Sequence, residues 1–186
     1  MTRRLSAVCA AALLAGALAA APAALQAQLN TSFSVAGGLS TPVSDLNTLV
    51  DAGYNVAGAV SFGAPLSPVG VRLEVGYNSF NAKSSYFTNN GKIQILSGTA
   101  NATIALGPTA SSPYLIGGVG LYNRSVTEDY QPTDTKTVGG FNAGAGLRFP
   151  LGTMSTFIEA RYHMMLGNAP DQSNLQFVPI TFGINF

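Results

Sequence analysis

The sequence predicts an all-β fold: eight antiparallel strands closed up-and-down into a barrel that spans a membrane. Three observations carry that prediction. The chain opens like an export leader. It has few charges, yet no apolar run long enough for a transmembrane helix. Its remaining length reads as segments in which large apolar residues alternate with small or polar ones.

The leader is the stretch "MTRRLSAVCAAALLAGALAAAPAALQAQ". Arg3 and Arg4 precede an apolar run from about Leu5 to Ala20, and small residues follow. That is the layout of a secretory signal peptide. The best junction is after Ala27, with Ala23 as the runner-up, so residues 1–27 are assigned to the leader and 28–186 to one barrel domain. Cys9, the only cysteine, leaves with the leader, and so do two of the nine basic residues. Seven basic residues then face eight acidic ones, a balance that gives no footing for nucleic acid.

Charged residues make up 9% of the chain, against about 25% in an average soluble domain. An exported chain this apolar, without a membrane helix, can satisfy its backbone in lipid by pairing strands into a closed barrel.

The alternation supplies the strands, with apolar residues expected toward lipid and polar ones toward the lumen. The first strand, near Thr31–Leu39, sets Phe33, Val35, Gly37 and Leu39 on one side. In "YNVAGAVSF" Tyr54, Val56, Val60 and Phe62 oppose Asn55, Ala57, Ala59 and Ser61. "VGVRLEVGY" sets Val69, Val71, Leu73, Val75 and Tyr77 against Arg72 and Glu74. "LSGTANATIAL" sets Leu96, Ala100, Ala102 and Ile104 against Ser97, Thr99, Asn101 and Thr103. "PYLIGGVGLYN" is a strand of ambiguous facing, since Tyr114 and Tyr122 share one parity and Leu115, Val119 and Leu121 the other. "FNAGAGLRF" alternates Phe141, Ala143, Ala145, Leu147 and Phe149 with Asn142 and Arg148. "TFIEARYHM" alternates Ile158, Ala160, Tyr162 and Met164 with Phe157, Glu159, Arg161 and His163. The last strand places Val178, Ile180, Phe182, Ile184 and Phe186 on one face.

The pairs Tyr54/Phe62, Tyr114/Tyr122 and Phe141/Phe149 repeat one spacing of eight residues, and Val69/Tyr77 repeats it with a single aromatic. Eight residues rise ~26 Å along a strand, less once tilted. That approaches the ~25 Å apolar band between two aromatic girdles. With no Trp in the chain, Tyr and Phe must build both girdles.

The connections alternate in length. Residues 40–53, 79–91, 125–136 and 167–175 read as long polar loops that hold Asp45, Asp51, Glu128, Asp129, Asp134 and Asp171. The links 64–68, 107–112 and 150–152 are short. In outer-membrane barrels the short turns are periplasmic and the long loops extracellular. The pattern therefore places both termini in the periplasm of a Gram-negative-type envelope.

The leader, the eight segments, "PYLIGGVGLYN", "FIEARYH" and the closing "ITFGINF" together resemble the outer-membrane β-barrel domain family, the small OmpA/OmpX-like barrels. The resemblance covers nearly the whole mature chain. It implies a monomer surrounded by outer-membrane lipids. It also implies that Phe182, Ile184 and Phe186 form a C-terminal signal read by the barrel-assembly machinery. The loops would be the contact surface for a partner that the sequence does not name.

The interior of eight strands is just wide enough for side chains to fill. Arg72, Glu74, Arg148, Glu159, Arg161 and His163 all carry lumen parity. Buried charges of both signs should pair, because an unpaired one is costly. The expectation is a structural network of ion pairs, with a narrow low-conductance pore as the sharper alternative. His163 is the one histidine. The small outer-membrane lipid A deacylases resemble this architecture and carry a serine two residues after their histidine, where this chain has Met165. Ser155 and Ser173 are the remaining nucleophile candidates for a lipid-modifying hydrolase, and no catalysis is expected. One histidine and no mature cysteine give no zinc site, no cofactor is implied, and "GGFNAGAG" reads as close packing rather than a phosphate cradle. A soluble ligand-binding barrel would need an apolar interior, whereas here Arg, Glu, Asn and Thr share the face opposite the aliphatics.

Overall fold

The computed structural model describes residues 30–81, 83, 91–107, 111–127, 134–167 and 174–186. The leader lies outside these residues, as do Glu128, Asp129, Asp171 and Ser173. The strands are β1 (Asn30–Val43), β2 (Gly53–Gly63), β3 (Val69–Asn81), β4 (Lys92–Ala105), β5 (Ser112–Thr127), β6 (Asp134–Leu151), β7 (Met154–Met165) and β8 (Leu175–Asn185). One short helix, α1 (Asp45–Leu49), lies between β1 and β2. Each strand pairs with its neighbour in sequence, and the sheet closes as a barrel. Antiparallel pairing of β1 with β8 makes the seam, from Ser34 opposite Asn185 to Val43 opposite Gln176. Among the described residues no helix is long and apolar enough to cross a membrane.

The side-chain period of two fixes which residues face out. Val35, Val56, Val75, Leu96, Val119, Phe141, Ile158, Ile180 and Phe182 are exposed on the outer wall. Ile180 is 51% exposed, while its neighbour Thr181, at 7%, faces the lumen and donates to Asn55 Oδ1 at 3.2 Å. Aromatic pairs mark both ends of the outward band. Tyr54 and Tyr77 lie 6.3 Å apart toward the long loops. Phe33 and Phe186 stack at 6.5 Å toward the short turns. Phe186 also exchanges both backbone bonds with Phe33, at 2.9 Å each, which ties the last residue across the seam.

β5 and β6 run further than the sequence reading gave them. They stay paired from Ser112–Arg148 to Val126–Asp134, into what was read as loop. Beyond Leu121 the outward face turns polar. Asn123 Nδ2 donates to Thr137 Oγ1 at 2.8 Å, and the Ser125 and Thr135 hydroxyls meet at 3.2 Å. Cross-strand polar pairs of this kind hold a ladder together outside an apolar band.

The loop 40–53 also differs from expectation. β1 continues to Val43 and α1 follows. Ser44 makes the bend with a positive φ of 50°. Its hydroxyl donates to Gln176 Oε1 at 2.7 Å. Lys83 Nζ donates to the Asn47 carbonyl at 2.6 Å on the other side. These contacts seat Leu46 and Val50 over the barrel's end, where both are completely buried.

Candidate functional site

The lumen falls into three zones. At the loop end it is apolar: Phe80, Ile93, Ile95, Val138, Met165, Leu175 and Phe177 pack with Leu46 and Val50 into one buried cluster. Phe80 and Phe177 meet edge to face at 5.8 Å. These residues share strand faces with polar lumen positions, so a reading that equates inward with polar misses them. Their parity was the signal that could have found them.

His163 sits at the lower edge of this zone. Its ring stacks on Phe177 at 4.9 Å, and its Nδ1 lies 3.0 Å from the Tyr122 hydroxyl. It makes no ion pair among the described residues. Ser155 lies eight residues back along β7, ~26 Å away by strand rise.

Below lies a belt of amides and hydroxyls. Ser40 donates to Asn78 Oδ1 at 2.6 Å and accepts from Asn55 at 3.3 Å. Asn142 donates to Asn101 Oδ1 at 2.8 Å, and Asn101 donates to Thr99 at 2.9 Å. Most of these groups are bonded, since an unmet polar group in a filled interior costs ~1–3 kcal/mol, but Asn142 Oδ1 is buried and meets no donor among the described residues.

Toward the short turns come the charges. β3 supplies Arg72 and Glu74, and β7 supplies Glu159 and Arg161. Glu159 Oε2 accepts from Arg72 Nη1 at 2.9 Å and from the Tyr114 hydroxyl at 2.6 Å. Its Oε1 accepts from Arg161 Nε at 2.7 Å, and Arg161 also pairs with Glu74. Arg72 and Glu159 are each 2% exposed. The Arg72 guanidinium lies over the rings of Tyr114 and Phe157, at 5.7 and 5.3 Å. A void of about 10 Å³ beside Glu74, Glu159 and Arg161 has roughly the room of one water.

Of the six lumen residues singled out in the sequence, the structure joins Arg72, Glu74, Glu159 and Arg161. Arg148 is separate: it lies 5.5 Å from the Tyr114 ring and forms no ion pair among the described residues. His163 is separate as well.

Two expected girdle residues are corrected. Tyr114 and Tyr122 point inward and are buried, because each hydroxyl finds a lumen partner, Glu159 and His163 respectively. This settles the facing of β5. The glycines of "GGFNAGAG" make room for these rings. A Cβ on Gly146 would lie 2.5 Å from Tyr114, and one on Gly140 2.8 Å from Tyr122.

Comparison with known proteins places this barrel. Neisserial surface protein A (NspA) aligns with a TM-score of 0.61 at 16% identity, over 84% of this chain and 97% of that one. A major outer membrane protein from Thermus thermophilus aligns at 0.56 and 13% identity, over 85% and 98%. Ail, the attachment invasion locus protein of Yersinia pestis, solved with the heparin analogue sucrose octasulfate, aligns at 0.50 and 18% identity, over 84% and 97%. At these identities the likeness is one of fold. No curated protein matches the chain. The family model described as the outer membrane protein beta-barrel domain matches residues 10–186. The chain therefore belongs to the outer membrane protein β-barrel domain family.

Proposed function

We propose that this outer-membrane barrel works through its loop end, as a structural or surface-interaction protein without catalysis and without an open pore. The connections between β1 and β2, β3 and β4, β5 and β6, and β7 and β8 leave the barrel at that end. They lie outside the cell in this reading, with both termini in the periplasm. The observation that carries it is the filled lumen. The α1 cluster, the amide belt and the ion pairs occupy it in sequence from the loop end toward the turns. A wall of strands closed by side chains leaves only the loops free to vary and to meet a partner.

The hydrolase alternative has little support. His163 is enclosed by Phe177 and Tyr122 on the lumen side, away from the wall where a lipid would lie. The partners in this reading are outer-membrane lipids, the assembly machinery acting on the C-terminal strand, and a loop ligand to be found by screening.

The test uses the absence of cysteine after the leader. Asn47→Cys and Leu66→Cys place one thiol at each end of the barrel. In intact cells a membrane-impermeant maleimide should label Asn47→Cys and leave Leu66→Cys unlabelled until the outer membrane is opened. The opposite pattern would invert the orientation. Stable conductance steps from the purified protein in planar bilayers would replace the closed reading with the pore.

A further inference from the structure

The charge zone of the lumen is unbalanced. Arg72, Arg148 and Arg161 face two carboxylates, and both are engaged elsewhere. Glu159 takes Arg72, Arg161 and Tyr114, while Glu74 takes Arg161. Arg148 is left with the face of Tyr114, whose hydroxyl is already given to Glu159. Its Nε is buried and meets no acceptor of the protein. A cation held in a low-dielectric wall without a counter-charge is costly, so such a position favours an anion.

Its place in the barrel suits one. Arg148 lies directly opposite Ser112 in the β5–β6 register, and Ser112 is buried on the lumen side. Arg148 is only half-buried although it faces inward, and it stands three residues before Leu151, the last residue of β6. The strands wall it in on both sides, so its exposure comes through the turn-end mouth. The connections at that mouth, 64–68, 106–111 and 152–153, contain no Asp, Glu, Lys or Arg that could compete for it.

We infer that Arg148 and Ser112 form a binding site for a phosphate group entering from the turn end. The phosphate is either free or the headgroup of a lipid in the adjoining leaflet. The guanidinium supplies a fork of donors matched to phosphate oxygens, and the Ser112 hydroxyl supplies another from the neighbouring strand. The Tyr114 ring supports the guanidinium from the side, and the links around it bring no charged side chain to compete with the phosphate.

The refolded mature barrel in zwitterionic micelles is titrated with inorganic phosphate at constant ionic strength and, separately, with short-chain phosphatidylglycerol. Binding is read by ³¹P line width. Wild type should broaden the resonance of at least one probe. Arg148→Met should lose the broadening, and Arg148→Lys, which keeps charge but not the fork, should weaken it. Broadening by the lipid alone identifies a headgroup; broadening by both identifies a general phosphate site. Gel mobility of unheated samples checks that each variant is folded. Were Arg148→Met not to fold, Ser112→Ala carries the same comparison. A wild type that broadens neither probe, or a folded Arg148→Met that broadens them equally, would overturn the site.

Discussion

Glu159 is the residue on which the lumen charges turn. Its carboxylate accepts from Arg72 at 2.9 Å, from Arg161 at 2.7 Å and from Tyr114 at 2.6 Å, with the side chain 2% exposed. Glu159→Gln keeps the shape and removes the charge. Arg72 then has no carboxylate partner among the described residues, while Arg161 keeps Glu74. Stranding one partner of a buried pair costs ~3–5 kcal/mol. Arg161→Met strands Glu74 instead, at a similar cost. In the double variant the two survivors are Arg72 and Glu74, opposite charges on one face of β3 and two residues apart. They can turn toward each other, so the double variant should lose less than the two single variants combined. Neighbours within one network couple by ~0.5–3 kcal/mol, and we expect ~1–2 kcal/mol here. Urea unfolding of the barrel in lipid vesicles measures this, with the folded fraction read from gel mobility because the chain has no Trp. Additivity within ~0.5 kcal/mol would refute the coupling.

Three further outcomes are expected. Ile180→Arg should cost ~2–4 kcal/mol near the midplane of the apolar band. Thr181→Val should cost only ~1 kcal/mol, for its lumen hydrogen bond; the reverse order, in vesicle unfolding, would mean that β8 is turned over. The β7–β8 ladder pairs Ala160 with Ile180 and resumes at His163 with Phe177, skipping the positions around Pro179. Proline has no N–H to give, so Pro179→Val should restore one bond and raise stability by ~0.5–1.5 kcal/mol; a lowered urea midpoint would show that the gap is required. Deleting Phe186 removes the two backbone bonds and the ring contact with Phe33 at the seam. It should lower the amount in the outer membrane more than it lowers refolding in detergent, and normal membrane levels would exclude an assembly role for that residue.

The wall of the barrel was legible because strand alternation has only two phases. Once Val35, Val75 or Phe182 is placed outward, its neighbours have no choice. The interior was less legible because parity says which way a side chain points, not what surrounds it. Ile93 and Ile95 share a face with Ser97 and Thr99, and only α1 folding over them makes that end apolar. Tyr114 and Tyr122 had girdle spacing, but a phenol that finds Glu159 or His163 inside gains a bond it would lack at the same height outside. The lumen arginines were visible as a group. Their partners were not, since Arg72 and Glu159 are 87 residues apart and adjoin only after the barrel closes.

The four paired charges also have a mechanical meaning. β3 and β7 are four strands apart in either direction around an eight-stranded barrel, so they form opposite walls. A hoop of hydrogen-bonded strands resists being stretched around its girth but yields readily to being squeezed out of round. The bridges from Arg72 to Glu159 and from Arg161 to Glu74 act as a tie rod along one diameter. Lateral pressure from the surrounding bilayer would otherwise let the cross-section breathe into an ellipse. With the tie in place, widening along the β3–β7 axis is opposed directly, while no ion pair among the described residues spans the perpendicular β1–β5 axis. The barrel is therefore stiffer in one direction than the other, although its backbone is nearly uniform around the ring.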